Sequence, residues 1–298
     1  MFLSRWRIVA FIRHNIKTFI TAFKLRTSLE RTFVWGAIVL VSLDNVFAGF
    51  ERVVHSPVLW GKGLATAASR NIDAVLLNPA SAAGTESFSI SVFYSPSPFE
   101  LPQLSNGGIT AAVPLSSFAV CSSLVTSGFS LYRELSGTVT IANSFFGTLD
   151  VGANLSLNHL SIARYGSAAA LTFDAGAELE VGGGVRWGVA LLNCTRSTIG
   201  RGHDALPQLY LTGFEYTVLP RATVAFDIVK DFRYPFSIRA GTQFSPLESL
   251  DARFGVSSAP SRYYAGFGLR AMSLYVSYSV ATHPELGLTH DIGIAFQF

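Results

Sequence analysis

From Ser87 to Phe298 apolar and polar residues alternate with a period of two. Leu171, Phe173, Ala175, Ala177, Leu179 and Val181 alternate with Thr172, Asp174, Gly176, Glu178 and Glu180. The last segment repeats this, with Leu288, Ile292, Ile294, Phe296 and Phe298 set against Thr289, Asp291, Gly293, Ala295 and Gln297. Side chains two apart share a face, so each segment reads as a strand with one oily and one polar side. Fourteen such strands are predicted, at 87–94, 107–114, 117–127, 134–145, 149–160, 168–181, 183–194, 208–218, 221–230, 235–245, 249–257, 262–270, 273–281 and 288–298. A soluble sandwich also alternates, with its apolar face inward. Here many strands have the ~9–11 residues that cross a bilayer at a tilt. Their polar faces are rich in Gly, Ser, Thr and isolated charges, and aromatics such as Phe93, Tyr94, Tyr132, Phe145, Phe146, Tyr263 and Tyr264 gather near strand ends. Connections after even-numbered strands are short, whereas Ser95–Asn106, Ser161–Ser167, Thr195–Pro207 and Thr282–Gly287 are longer. That parity fits periplasmic turns, external loops and two periplasmic termini. The expected fold is all-β, a transmembrane antiparallel β-barrel of about 14 strands.

One stretch breaks the alternation. Trp60–Gly84 is rich in small residues, and Asn71 can cap a short helix at Ile72–Leu77 whose positive end suits Asp73. Pro79 holds Asn78 extended, so the helix should stop there. Small flanking residues such as Ala65, Ala67, Ala68, Ala80 and Ala82 let such a segment pack in a confined space. Spacing alone does not separate a plug inside a barrel from a helix lying on a domain surface.

Composition sharpens the division of the chain. Seven of the 22 Lys/Arg but only two of the 19 acidic residues fall in residues 1–48, so the remainder carries a net charge of −2. A nucleic-acid partner would need its basic footprint on the folded domain, and none is predicted. Phe33–Leu43 is an apolar core behind this basic segment, and Val46-Phe-Ala48 offers small residues for cleavage. The expected organisation is a cleaved signal peptide at 1–48, a leader and hatch at 49–86, and the barrel at 87–298.

The order of small residues, Asp73-Ala74, Asn78-Pro79-Ala80, alternating strands and a terminal Phe resembles FadL-type outer-membrane transporters. PorV/PorQ-like barrels of the type IX secretion system are similar at the same hatch. Asp227 to Pro235 (DIVKDFRYP), Gly266 to Arg270 (GFGLR) and Thr282 to Gly287 (THPELG) look like the PorV-like branch. The FadL-type resemblance implies passive outer-membrane transport of a hydrophobic small molecule. External loops would capture it, and a hatch around Asp73, Asn78, Pro79 and Ala80 would shift to pass it on. The capture loop would include Pro96, Pro98, Phe99, Leu101 and Leu104. The PorV-like resemblance implies instead a secretion-system component that meets cargo or envelope proteins, and a purely structural barrel is a third reading. Expected partners are therefore outer-membrane lipid, a hydrophobic ligand or a secretion-system protein, and the barrel-assembly machinery through Phe298.

Inward-facing charges are expected on two walls: Asp150, Asp174, Glu178 and Glu180 on one, Arg239, Arg253, Arg262 and Arg270 on the other. They could pair among themselves or lock the hatch, in which case removing arginines would raise conductance. Inward glycines (Gly152, Gly176, Gly188, Gly213, Gly241, Gly255, Gly266, Gly268) suit close approach of a plug or ligand. Gly182-Gly-Gly184 reads as a hairpin turn, not a phosphate loop. His283 and His290 lack a third metal ligand nearby. Cys121 and Cys194 read as packed free thiols. No nucleophile-elbow pattern frames a serine, so neither enzyme activity nor a cofactor or metal is expected.

Overall fold

The computed structural model describes residues 49–50 and 54–298, and the predicted signal peptide lies outside them. Fourteen strands close into a single antiparallel barrel. In chain order the strands are β1 (Ser89–Ser95), β2 (Asn106–Pro114), β3 (Ala119–Phe129), β4 (Tyr132–Phe145), β5 (Leu149–Ile162), β6 (Gly166–Gly182), β7 (Val185–Leu192), β8 (Thr198–Ile199), β9 (Asp204–Ala205), β10 (Leu209–Leu219), β11 (Ala222–Asp231), β12 (Ser237–Leu247), β13 (Leu250–Ser258), β14 (Ser261–Ala271), β15 (Leu274–His283) and β16 (Gly287–Gln297). β8 and β9 form a separate two-stranded hairpin in the connection from β7 to β10. β1 pairs with both β2 and β16, which removes the open edges of the sheet.

The period-two pattern sets the faces as expected. Leu155, Leu157, Leu171, Phe173, Phe254, Ile292 and Ile294 are exposed on the outside, while Asn154, Ser156, Thr172, Asp174, Thr289 and Asp291 are buried inside. An apolar exterior around a polar inner wall is the arrangement a bilayer requires of a barrel. Among the described residues no helix is long and apolar enough to cross a membrane; the strands do so. Two aromatics expected near the interface, Phe93 and Tyr264, instead point inward and are buried. Each adjoins an outward tyrosine (Tyr94, Tyr263), and neighbours on a strand cannot share a face.

The two ends differ. Residues 96–105 and 193–208 make one end loop-rich, and 183–184, 220–221, 248–249 and 272–273 close the other with tight turns. Gly182, Gly183 and Gly184 all have positive φ in such a turn, where other residues would be strained. The parity is weaker than expected. β5 and β6 run on until only 163–165 joins them, and 284–286 suffices between β15 and β16. The extra strand length continues cross-strand pairs out to Ile162↔Gly166 and His283↔Gly287.

The hatch is more structured than the single helix predicted. A one-turn α-helix, α1 (Pro57–Gly61), precedes two 3-10 helices, Ile72–Leu76 and Pro79–Gly84. Asn71 caps the first 3-10 helix by accepting from the Asp73 amide at 2.9 Å. Pro79 does end it, and then starts the next as its first helical residue, where proline's missing amide is harmless. Asn78 caps that second helix through Ala80 N at 3.1 Å.

The described chain also begins at an unexpected place. Phe50 is buried with Ile199 and Leu206 and packs against Leu160, Ala168 and Ala170, at the loop end. Phe298 is at the turn end, where its amide donates to Phe88 O (2.9 Å) and the two rings stack. Phe50 thus lies at the opposite end from the start of β1 and the finish of β16, which are paired through Ser89 and Gln297.

Candidate functional site: the hatch and the inner wall

From His55 to Ala80 the hatch follows the inner wall and is fastened strand by strand. His55 Nδ1 meets Asp291 Oδ1 of β16 at 2.9 Å, and the imidazole stacks on Trp60, which meets Tyr264 of β14 edge-on. Lys62 pairs with Glu215 of β10 at 2.5 Å. The amides of Thr66 and Ala67 both donate to Asp227 Oδ2 of β11, at 2.6 and 2.8 Å. Arg186 of β7 donates to Ala68 O at 3.4 Å. Arg70 then pairs with Asp150 of β5 at 2.8 Å, and Asn154 of the same strand donates to Val75 O at 2.9 Å.

Seven inward glycines let the hatch backbone reach the wall. A Cβ on Gly188 would overlap the Ala67 carbonyl, one on Gly241 the Lys62 carbonyl, and one on Gly255 the Gly63 amide. Gly152 and Gly176 seat Pro79 and Asn78, Gly266 faces Gly61, and a Cβ on Gly293 would meet Pro57 at 2.8 Å. Gly152 is paired with Gly176 across β5–β6, and Gly241 with Gly255 across β12–β13, so the gaps are two strands wide. Gly213 and Gly268 have other tenants: a Cβ there would strike the Asp227 carboxylate and the Tyr275 hydroxyl, respectively.

The residues predicted for the hatch centre are buried, with Asp73 held at β1 and Asn78 at β6. Asn78 is fully buried, and its amide nitrogen donates to Ala67 O at 2.6 Å and to Glu178 Oε1 at 3.4 Å. Asp73 accepts from Ser56 Oγ at 2.6 Å and Ser91 Oγ at 3.0 Å, while its other oxygen is buried without a partner. Burial pushes the Asp73 carboxyl above its ordinary value, and the two serine hydroxyls only partly oppose this. A group whose value is raised in the docked state favours docking most when protonated. Docking should therefore be strongest below the free-carboxyl range near 3.8 and weaken as pH rises through the raised value. Asp73→Asn keeps an acceptor for both serines and carries no charge. We expect limited proteolysis of the hatch between pH 4 and 8 to show cleavage that increases with pH in the wild type and increases less in Asp73→Asn. A wild-type profile that is already flat would exclude this role for Asp73.

The predicted lumen charges divide differently from expectation. The acidic wall is met by cations from the hatch and from β7: Asp150 by Arg70, Glu180 by Arg186 at 3.2 Å, while Asp174 accepts from Asn193 N at 2.7 Å. On the other wall only Arg239 reaches a hatch carbonyl, Leu64 O at 3.3 Å. Arg253 pairs with Asp251 and with the Tyr275 hydroxyl, and Arg270 lies over the Tyr275 ring. Of the four arginines, Arg239 and Arg262 thus contact the hatch, the latter 5.8 Å from the Trp60 ring. The fasteners missed in the sequence are Asp227, Asp291, Glu215 and Asn154. Each occupies an inward position of an alternating strand, which was visible; the hatch partner was not.

At the loop end one sector of the inner wall is apolar. Leu192, Leu209, Leu211 and Val229 of β7, β10 and β11 are buried in one cluster with Leu64, Ala67 and Val75 of the hatch. In the proposed capture loop Pro96 and Leu104 are exposed, Phe99 and Leu101 half-buried and Pro98 buried. His283 faces inward against the Phe99 ring, whereas His290 points outward and binds the Tyr278 hydroxyl at 2.6 Å, so the two histidines do not converge. Both cysteines are free thiols. Among the described residues no three His, Cys, Asp or Glu side chains gather as a metal site.

No family model matches the sequence, and no curated protein matches it. Solved structures do match the fold. The chain is similar to the CymD monoaromatic hydrocarbon channel, with a TM-score of 0.65 at 13% identity, over 84% of this chain and 99% of that one. A Pseudomonas aeruginosa FadL homologue matches with a TM-score of 0.61 at 13% identity, over 84% of this chain and 100% of that one. The P. putida toluene transporter TodX matches with a TM-score of 0.60 at 10% identity, over 85% of this chain and 99% of that one. Closed strands, an apolar exterior and an internal hatch thus agree with these matches: the chain has the FadL-type barrel fold of a bacterial outer-membrane protein.

Proposed function

We propose that the protein is a passive outer-membrane channel for small hydrophobic molecules and has no enzymatic activity. The observation that carries this reading is the apolar patch of the inner wall at the loop end, formed by Leu192, Leu209, Leu211 and Val229, which the hatch covers through Leu64, Ala67 and Val75. A sugar or ion entering there would lose hydration without gaining partners, whereas a hydrocarbon gains ~25 cal/mol for each Å² of apolar surface removed from water. The solved relatives named as a hydrocarbon channel and a toluene transporter support the same substrate class. Nothing among them supports the secretion role implied by the PorV-like resemblance. Pro96, Pro98, Phe99, Leu101 and Leu104 gather ligand at the surface in this reading, Asp73, Asn78, Pro79 and Ala80 form the part of the hatch that shifts, and Phe298 directs barrel assembly.

The test is uptake of labelled toluene by diderm cells that keep an intact lipopolysaccharide layer and lack their own hydrocarbon channel. Expression should raise uptake several-fold, and Leu209→Glu, which puts a carboxylate on the apolar wall, should abolish most of the gain. Rapid swelling of proteoliposomes in small sugars, with no gain in toluene uptake, would overturn the assignment.

A further inference from the structure

Arg262 is an inner-wall cation that packs against aromatic rings. Lys62, Arg70, Arg186 and Arg253 each have a carboxylate within salt-bridge distance; among the described residues Arg262 has none. Its Nε is buried without an acceptor. Instead its guanidinium carbon lies 5.8 Å from the ring of Trp60 in the hatch and 5.2 Å from the ring of Phe99 in the 96–105 loop. Arg239, on β12, is a like-charged neighbour. Phe99 is set over this position by an unusual backbone: it and Glu100 both have positive φ, and the Phe99 amide donates to Thr289 Oγ1 at 3.2 Å. His283 meets the Phe99 ring edge-on, with centroids 5.5 Å apart.

From this arrangement we infer that Arg262 is a recognition site for a small aromatic carboxylate, with Phe99 as the ring that occupies it until the ligand arrives. The inference rests on the transport reading and names a substrate class for it. A ring alone satisfies the face of the guanidinium, as Phe99 already does, and leaves the buried Nε without an acceptor, which is unfavourable for a buried donor. A carboxylate accepts from Nε and a terminal nitrogen together, the bidentate geometry for which guanidinium is suited. The attached ring then takes the place of Phe99 against the cation, and Leu101 and Leu104 of the same loop provide an apolar approach. Two adjacent non-glycine residues at positive φ are a strained seat, from which Phe99 can leave at low cost.

The experiment is isothermal titration calorimetry of the detergent-solubilised protein with phenylacetate and, separately, toluene. Wild type should bind phenylacetate more tightly than toluene. Arg262→Gln should weaken phenylacetate roughly 10- to 100-fold, as loss of charge-assisted hydrogen bonds implies, and leave toluene unchanged. Phe99→Ala should tighten phenylacetate by removing the competing ring. Arg262→Lys should recover part of the affinity, and heat-dependent gel mobility establishes that each barrel is folded. Equal phenylacetate affinity in wild type and folded Arg262→Gln would overturn the site, as would a wild-type preference for toluene. Toluene uptake by cells separates the two ideas. Uptake together with Arg262-independent phenylacetate binding sinks only the carboxylate site, whereas Arg262-dependent binding without uptake sinks the channel assignment and keeps the site.

Discussion

Gly188→Val should unseat the hatch while leaving the barrel folded. The Gly188 position faces inward, and any Cβ there would overlap the Ala67 carbonyl and crowd the Ala68 amide. Neither side can give way. β7 is hydrogen-bonded to β6 and β10 through that register, with Gly188 opposite Glu178 and Gly213. On the hatch side, Thr66 and Ala67 are held by Asp227. Overpacking of this kind costs ~1–3 kcal/mol even where side chains can adjust. Displacing Ala67 would also strain two hydrogen bonds to a carboxylate, each worth ~1.5–3 kcal/mol. That loss falls in the middle of the hatch, between its fastenings at Lys62 and Arg70. In planar bilayers the wild type should show little or no conductance and Gly188→Val a clear open step. At any one pH, protease should cut between residues 60 and 84 much faster in the variant than in the wild type. Gly137 provides the control, because it lies outside these contacts and a Cβ there meets only Leu124 at 3.9 Å; Gly137→Ala should behave as wild type. If Gly188→Val stayed closed and resistant, the hatch would be held by something other than its fit to the inward glycines.

The barrel was legible because a period-two pattern repeated fourteen times leaves little freedom: each strand boundary fell within two or three residues of its observed place. The inward glycines were legible for the same reason, since glycine on the inner face of a strand needs a neighbour to explain it. What failed was information of other kinds. α1 and the 3-10 helices are too short to show a helical period, so nothing in the local pattern marked Pro57 as the start of a helix. Phe93 and Tyr264 were misplaced because composition near a strand end was weighed above parity, although Ser91 and Phe93 share a face. The partnerships Lys62–Glu215, Arg70–Asp150 and His55–Asp291 join residues 80 to 236 positions apart. No local signal encodes such pairs; only the closed barrel brings them together. The course of the hatch, starting at the loop end, follows from those pairs and was therefore equally hidden.

Asp227→Ala should loosen the hatch at its midpoint, with an effect next in size to that of Gly188→Val. One carboxylate oxygen accepts two consecutive hatch amides, and the residue is buried on the inner wall of β11. Alanine leaves both donors facing an inner wall with no replacement acceptor, at ~1–3 kcal/mol for each buried group. It also removes the negative charge that Arg239 faces from β12, directly across the Asp227↔Arg239 pair. Arg239 binds the hatch at Leu64 O, so the two fastenings weaken together and their effects should not be additive. Asp227→Asn keeps an oxygen for the two amides but not the charge, so it should fall between wild type and alanine. Amide hydrogen exchange at Thr66 and Ala67 reads this directly: slow in the wild type, intermediate in Asp227→Asn and fast in Asp227→Ala, with conductance rising in the same order. The double variant Asp227→Ala/Arg239→Ala should be little worse than Asp227→Ala alone. Exchange that remained slow in Asp227→Ala would mean that the hatch finds other acceptors on the wall, and that its position is set by the glycine contacts without this carboxylate.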